Sequence, residues 1–252
     1  MRLYVVNKNI VNLLSLSLFF FGGSLSAQVT KASVDMEICT LSNGKTLTTK
    51  AEVYYQVRDN RLVTHFTQPT ESVLITNNKG EVQNYDVNQN TVFVYHNSDL
   101  ASTTNTLFFF LNGQTQNLGL HKIGFRLLKT HREDSLVVSE WEATNPLNTI
   151  QKVNLVYDHL LPIYIDYFDK NGKLLKKAYF SDYYTSKKIY LPQKITEISY
   201  LENTDSLITQ TFYRNIKEES SANSVYFDYA IPGNAKTIQG CHQTATNAPL
   251  TH

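Results

Sequence analysis

Apolar and polar residues alternate with a period of two through most of this chain, and turn residues cut the runs at short intervals. Val34, Met36 and Ile38 alternate with Asp35, Glu37 and Cys39. Ser42-Asn43-Gly44-Lys45 follows, where Asn-Gly supplies the positive φ that a tight hairpin needs. Strand patterns recur over 46–57, 61–67, 72–76, 81–86 and 91–95, and again over 125–129, 135–142, 151–157, 162–168, 174–181, 194–200, 206–214 and 225–229. No long helical pattern and no fixed-period repeat interrupts them. Consecutive hairpins of this number predict a mainly β fold: a strongly curved antiparallel sheet, an open half-barrel with one face on water and one on an interior.

The alternation fails over 98–124, a polar, Gly-bearing stretch with Leu107-Phe108-Phe109-Phe110-Leu111 at its centre. Five apolar residues in a row cannot share one face of a helix. Leu107, Phe108 and Leu111 fall together, while Phe109 and Phe110 point elsewhere. A short helix that is apolar all round must be covered on several sides. Thr104-Asn105-Thr106 supplies a candidate N-cap.

The N-terminus reads as a targeting segment. Arg2 and Lys8 precede an apolar run over 10–21, and Ser24-Leu25-Ser26-Ala27 ends in small residues. The run is shorter than the ~20 residues of a bilayer span, so cleavage near Ala27 is expected, with no Cys there to carry a lipid. That leaves one domain over 28–238 and a polar tail over 239–252, the strand pattern being lost from 236 onward. The segment removes two positive charges and no acid, so the mature chain is within one charge of neutral. That balance gives no sign of a nucleic-acid partner, and Lys176-Lys177 and Lys187-Lys188 read as solvated strand faces. Export permits a disulfide. Cys39 and Cys241, the only cysteines, are either a pair tying the tail to the first strand or two separate thiols.

The chain holds 16 Tyr, 13 Phe and one Trp. Phe66, Phe93 and Trp141 sit on strand patterns, where a packed core and a lined cavity look alike. The seven His show no zinc spacing, and there is no nucleophile elbow, phosphate loop or dinucleotide fingerprint. Asp169-Lys170-Asn171-Gly172 is a hairpin turn more simply than a calcium loop. No metal, no cofactor and no catalytic set is expected.

One stretch carries a resemblance. Arg58 lies nine residues before Thr67-Gln68-Pro69-Thr70-Glu71-Ser72, which precedes a short strand over 73–76, a turn with Gly80, and Tyr85-Asp86. This order resembles the LolA family of periplasmic lipoprotein carriers. Thr211 to Ile216 and Phe227 to Gly233 resemble that family's last strands, and 105–111 resembles its helical lid. The family's opening amphipathic helix has no counterpart here, and its usual Arg-Pro pair is Arg58-Asp59.

The resemblance implies a non-enzymatic carrier, monomeric, whose hydrophobic cavity binds lipoprotein acyl chains. Loading would be from an inner-membrane ABC transporter and unloading to an outer-membrane acceptor. Candidate lipid-binding residues are then Phe66, Phe93, Leu107, Phe108, Leu111 and Trp141, and Arg58 is the candidate that holds the lid shut. Two other readings stay open: a sensor module of the same fold that recognises lipid or lipoprotein, and a secreted β-barrel hydrolase with an unrecognised site.

Overall fold

The computed structural model describes residues 29–58, 60–96, 106–201 and 205–239. The alternating runs form two antiparallel meanders. The first is β1 (Lys31–Ser42), β2 (Lys45–Gln56), β3 (Arg61–Gln68), β4 (Ser72–Thr76), β5 (Glu81–Asp86) and β6 (Thr91–His96). The second is β7 (Phe125–Glu133), β8 (Leu136–Ala143), β9 (Lys152–Asp158), β10 (Leu161–Phe168), β11 (Leu174–Thr185), β12 (Tyr190–Tyr200) and β13 (Ser206–Glu218). The meanders join where β1 pairs with β13 and a last strand, β14 (Lys236–Gln239), sits beside β6, giving one curved, unclosed sheet in the order β14-β6-β5-β4-β3-β2-β1-β13-β12-β11-β10-β9-β8-β7. The helix α1 (Thr106–Leu111) lies between β6 and β7 in the chain. β6 lies next to one edge of the sheet and β7 forms the other.

Two elements differ from the sequence expectation. Residues 225–229, which carry a strand pattern, form a 3-10 turn over Val225–Asp228, with the Ser224 hydroxyl accepting from the Tyr226 amide. Lys236–Gln239, where the strand signal has gone, form β14. It pairs parallel to β6, with Thr237 opposite Val92 and Ile238 opposite Phe93. Its register is set by a neighbour far away in the chain rather than by its own four residues.

The sheet has apolar clusters on both faces. On the inner face, Val34, Val53, Tyr55, Leu155, Ile165, Phe180 and Ile195 pack with all five apolar residues of α1. On the outer face of the first meander, Tyr54, Val63, Val73, Ile75, Tyr85 and Val92 pack with Ala222 and Phe227. The C-terminal strap is clamped there by rings. Tyr226 stacks on His65 at 4.4 Å, on Tyr54 at 5.3 Å and on Tyr229 at 5.2 Å. The central strand β3 is thus covered on both sides, with Leu62 in the inner cluster and Val63 in the outer one, and Leu62 to His65 are buried in a row. Among the described residues, no helix is long and apolar enough to cross a membrane.

Candidate functional site: the inner face beneath the helix

The five apolar residues of α1 are each at most 4% exposed, so the helix is covered on every side, as an all-apolar helix requires. Phe108 meets the Tyr55 ring edge-on at 5.7 Å, and Phe110 meets Phe180 at 5.6 Å and Tyr183 at 6.2 Å. Phe109 lies against Gly119, whose φ is +79°, and a Cβ at that position would come within 2.0 Å of the Phe109 ring. The Lys122 ammonium rests over Phe108 at 5.3 Å and Phe109 at 5.7 Å. Five such side chains, at about 1.5–3 kcal/mol each, bound the burial of α1 at roughly 8–15 kcal/mol.

The C-terminal end of the helix is pinned by Asn112. Its Nδ2 donates to the Phe108 carbonyl at 2.8 Å and to the Tyr55 hydroxyl at 2.9 Å, and the Tyr55 hydroxyl donates to Asn112 Oδ1 at 3.1 Å. The Tyr157 hydroxyl donates to the Gln116 carbonyl just beyond. Burial raises the pKa of Tyr55 and the Asn112 bond opposes it, so this hydroxyl is a protonated donor at neutral pH. Thr104 and Asn105, the expected N-cap residues, lie outside the described residues.

Beside α1, a cavity of about 330 Å³ opens on the inner face of β10–β13. Its walls are Ile165, Ala178, Phe180 and Ile195, with Leu118 from the connection. Its polar end holds a Lys176–Glu197 ion pair, Thr211, Tyr167 and Tyr213. The register explains the grouping: Trp141, Val153, Tyr167 and Lys176 lie opposite one another across four strands, and Leu155, Ile165, Ala178 and Glu197 form the next row. Lys176 and Glu197 are partly exposed, with side chains at 40% and 32%, so the polar end is the mouth. Burial pushes the Tyr167 and Tyr213 hydroxyls up, and the Glu197 charge adds to both shifts. Both hydroxyls remain protonated donors.

A larger groove, about 680 Å³, lies on the outer face between β4–β6 and residues 229–237. Exposed Glu81 and Gln83 rim it. It is more open than the smaller cavity and lies on the opposite face from α1.

The candidate residues from the sequence share the inner face but not one cluster. Leu107, Phe108, Leu111 and Trp141 pack together there, with Trp141 Nε1 donating to Ser139 Oγ at 2.9 Å. Phe66 aligns with Ala51, Met36 and Tyr213 on that face. Phe93 aligns with Asn84, Leu74 and Thr64. Phe66 is half-buried and Phe93 is 41% exposed, and neither joins the core around α1. Arg58 pairs with Asp228 Oδ1 at 3.4 Å, both side chains well exposed. Cys39 is half-buried on β1, and Cys241 lies outside the described residues. Asp169 accepts from the Asn171 and Lys173 amides at 2.8 Å each, the geometry of a hairpin turn. Among the described residues, no group of three or more His, Cys, Asp or Glu is placed to hold a metal.

Tyr55, Asn112, Gly119 and the Lys176–Glu197 pair carry no sequence motif. Lys176-Lys177 reads as a solvated pair, but neighbours on a strand point to opposite faces. Lys176 faces the cavity, whereas Lys177 lies over the Tyr179 and Tyr200 rings at 5.7 and 5.8 Å.

Neither a family model nor a curated protein matches the sequence. Solved structures do match the fold. A LolA superfamily protein from Nitrosomonas europaea aligns with a TM-score of 0.51 at 14% identity, over 75% of this chain and 86% of its own. The fold is LolA-like. A putative outer membrane lipoprotein-sorting protein domain from Vibrio parahaemolyticus aligns at 0.53 and 16% identity, over 79% and 89% of the two chains. A DUF1329 family protein from Desulfovibrio piger aligns at 0.55 and 15%, over 80% and 91%. Within this LolA-like frame, α1 occupies the hollow of the half-barrel.

Proposed function

We propose that the protein is a periplasmic carrier that buries acyl chains of lipoproteins on the inner face of its sheet, with α1 as the closing lid. The observation that carries this reading is the seat of α1: five consecutive apolar side chains fill the inner face beside a cavity into which Ile165, Ala178, Phe180 and Ile195 also face. The energies are commensurate. One acyl chain of about 16 carbons gains on the order of 12 kcal/mol on leaving water, close to what the helix itself gains by docking. A chain can therefore displace α1 and be displaced by it, which a carrier that must both load and release requires. The LolA-like fold supports the same reading, and extends it to loading at an inner-membrane ABC transporter and delivery to an outer-membrane acceptor. It acts by binding, as a monomer, and catalyses nothing.

A fluorescent acyl probe should bind the mature protein and be displaced by purified lipoprotein. Phe108→Asp places a carboxylate in the seat of α1 at a cost of several kcal/mol if it stays charged and unpaired. With α1 unseated the inner face is open to the chain, so acyl binding should tighten while strand circular dichroism persists, because α1 lies outside the hydrogen-bonded sheet. Absence of binding by the wild type, together with global unfolding of Phe108→Asp, would mark α1 as a core plug instead.

A further inference from the structure

We infer that the Lys176–Glu197 pair makes the cavity selective for esterified or amidated acyl chains over free fatty acids. This rests on the carrier reading and specifies the ligand end that the mouth recognises. The cavity is amphipathic: Ile165, Ala178, Phe180 and Ile195 are buried, and the ion pair, with Tyr167 opposite Lys176 in the register, forms the partly exposed end. An acyl chain in such a site enters tail first and leaves its first carbonyl at the polar end.

The charge there decides which carbonyl fits. Lys176 is held by Glu197, so the mouth carries a cation and an anion in contact and has no net charge. A free carboxylate arriving there gains from Lys176 and is repelled at similar range by Glu197, so its desolvation is left without compensation. An ester or amide carbonyl needs one neutral donor. Tyr167, opposite Lys176 in the register, lines this end with a hydroxyl kept protonated by burial, and the ammonium has donors beyond the one that Glu197 takes.

The pair is also placed to be a selector rather than a scaffold. Glu197 stands opposite Ala178 and Thr209 in the strand register, and Lys176 opposite Tyr167 and Ser199. Their backbones belong to the ladder whatever the side chains do. Replacing Glu197 by Gln keeps shape and hydrogen bonding and frees one positive charge at the mouth.

The test compares cis-parinaric acid with its methyl ester, both fluorescent on burial, at neutral pH and low salt. Wild type should bind the ester more tightly than the acid. Glu197→Gln should tighten acid binding on the order of tenfold, the size of a gained charge-assisted hydrogen bond, and leave ester binding within about twofold. Lys176→Gln should do the reverse, weakening the acid further. Thermal unfolding of each variant confirms that the sheet is intact, and the two variants provide independent readings should one fail to fold. Equal wild-type affinities with an unchanged ratio in both variants would overturn the selectivity while leaving the carrier reading in place. Failure of both probes to bind wild type would overturn both.

Discussion

Gly119→Ala is the sharpest test of how α1 is held. Gly119 sits at φ +79°, a conformation that costs an L-residue about 1–2 kcal/mol. The added methyl would also lie within 2.0 Å of the Phe109 ring, closer than packed atoms approach, so Phe109 must leave its seat. Expelling one buried Phe forfeits about 1.5–3 kcal/mol. The sum, roughly 3–5 kcal/mol, falls on the docking of α1 and not on the strand ladder. A domain of this kind is stable by about 5–15 kcal/mol, so the variant should fold with its helix loosened.

Hydrogen exchange reads this directly. The amides of Asn112 and Gln114, which donate to the Phe108 and Phe109 carbonyls at 3.0 and 2.8 Å, should lose protection, while amides of β1 and β13 keep theirs. If α1 competes with the acyl chain for the inner face, weakening the helix by ~3 kcal/mol should tighten probe binding by up to about 100-fold. Unchanged protection at Asn112 and Gln114, or equal loss of protection across the whole sheet, would refute the reasoning.

Arg58→Leu tests the lid-holding role assigned by resemblance. If it operates, the variant should load lipid normally and release it poorly to acceptor membranes, and wild-type transfer would leave Arg58 as the exposed partner of Asp228. Asp166→Asn tests the outer face of the second meander. Burial raises the pKa of Asp166, with the Tyr164 and Asn154 hydrogen bonds opposing. A carboxyl raised on folding destabilises the fold once pH climbs above its unfolded value. The Asn variant should thus melt higher than wild type at neutral pH, and the difference should vanish in acid below the ordinary aspartate range, as followed by thermal melts across pH.

The strands were legible because each buries one face and its turns carry their own chemistry, as at Asn43-Gly44 and Asp169 to Gly172. The helix was legible for the opposite reason, since Leu107 to Leu111 fit no strand alternation. What escaped is what only distance in the chain creates. β14 exists because β6 offers it an edge. Residues 225–229 alternate like a strand, yet they lie against a finished sheet face and curl to place Phe227 into it. Lys176 and Glu197 meet on a diagonal between β11 and β12, and no spacing rule marks two residues on adjacent strands of unknown register. Tyr55 looks like any strand aromatic until Asn112 arrives beside it from the far side of the helix.

The seam between β1 and β13 has a consequence for how the chain is made. Asp35 meets Asn215, and Glu37 meets Arg214, across about 180 residues of sequence. Every other antiparallel pairing in the sheet is a local hairpin. Synthesis from the N-terminus delivers the first meander long before β13 exists, so β1 spends that interval as an open edge next to an uncovered aromatic face. Closure of so distant a contact is slow, and an unpaired edge is where chains associate wrongly. The interval before β13 arrives is therefore when this protein most needs protection from other chains, and destabilising the seam should lower yield more than it lowers the melting temperature.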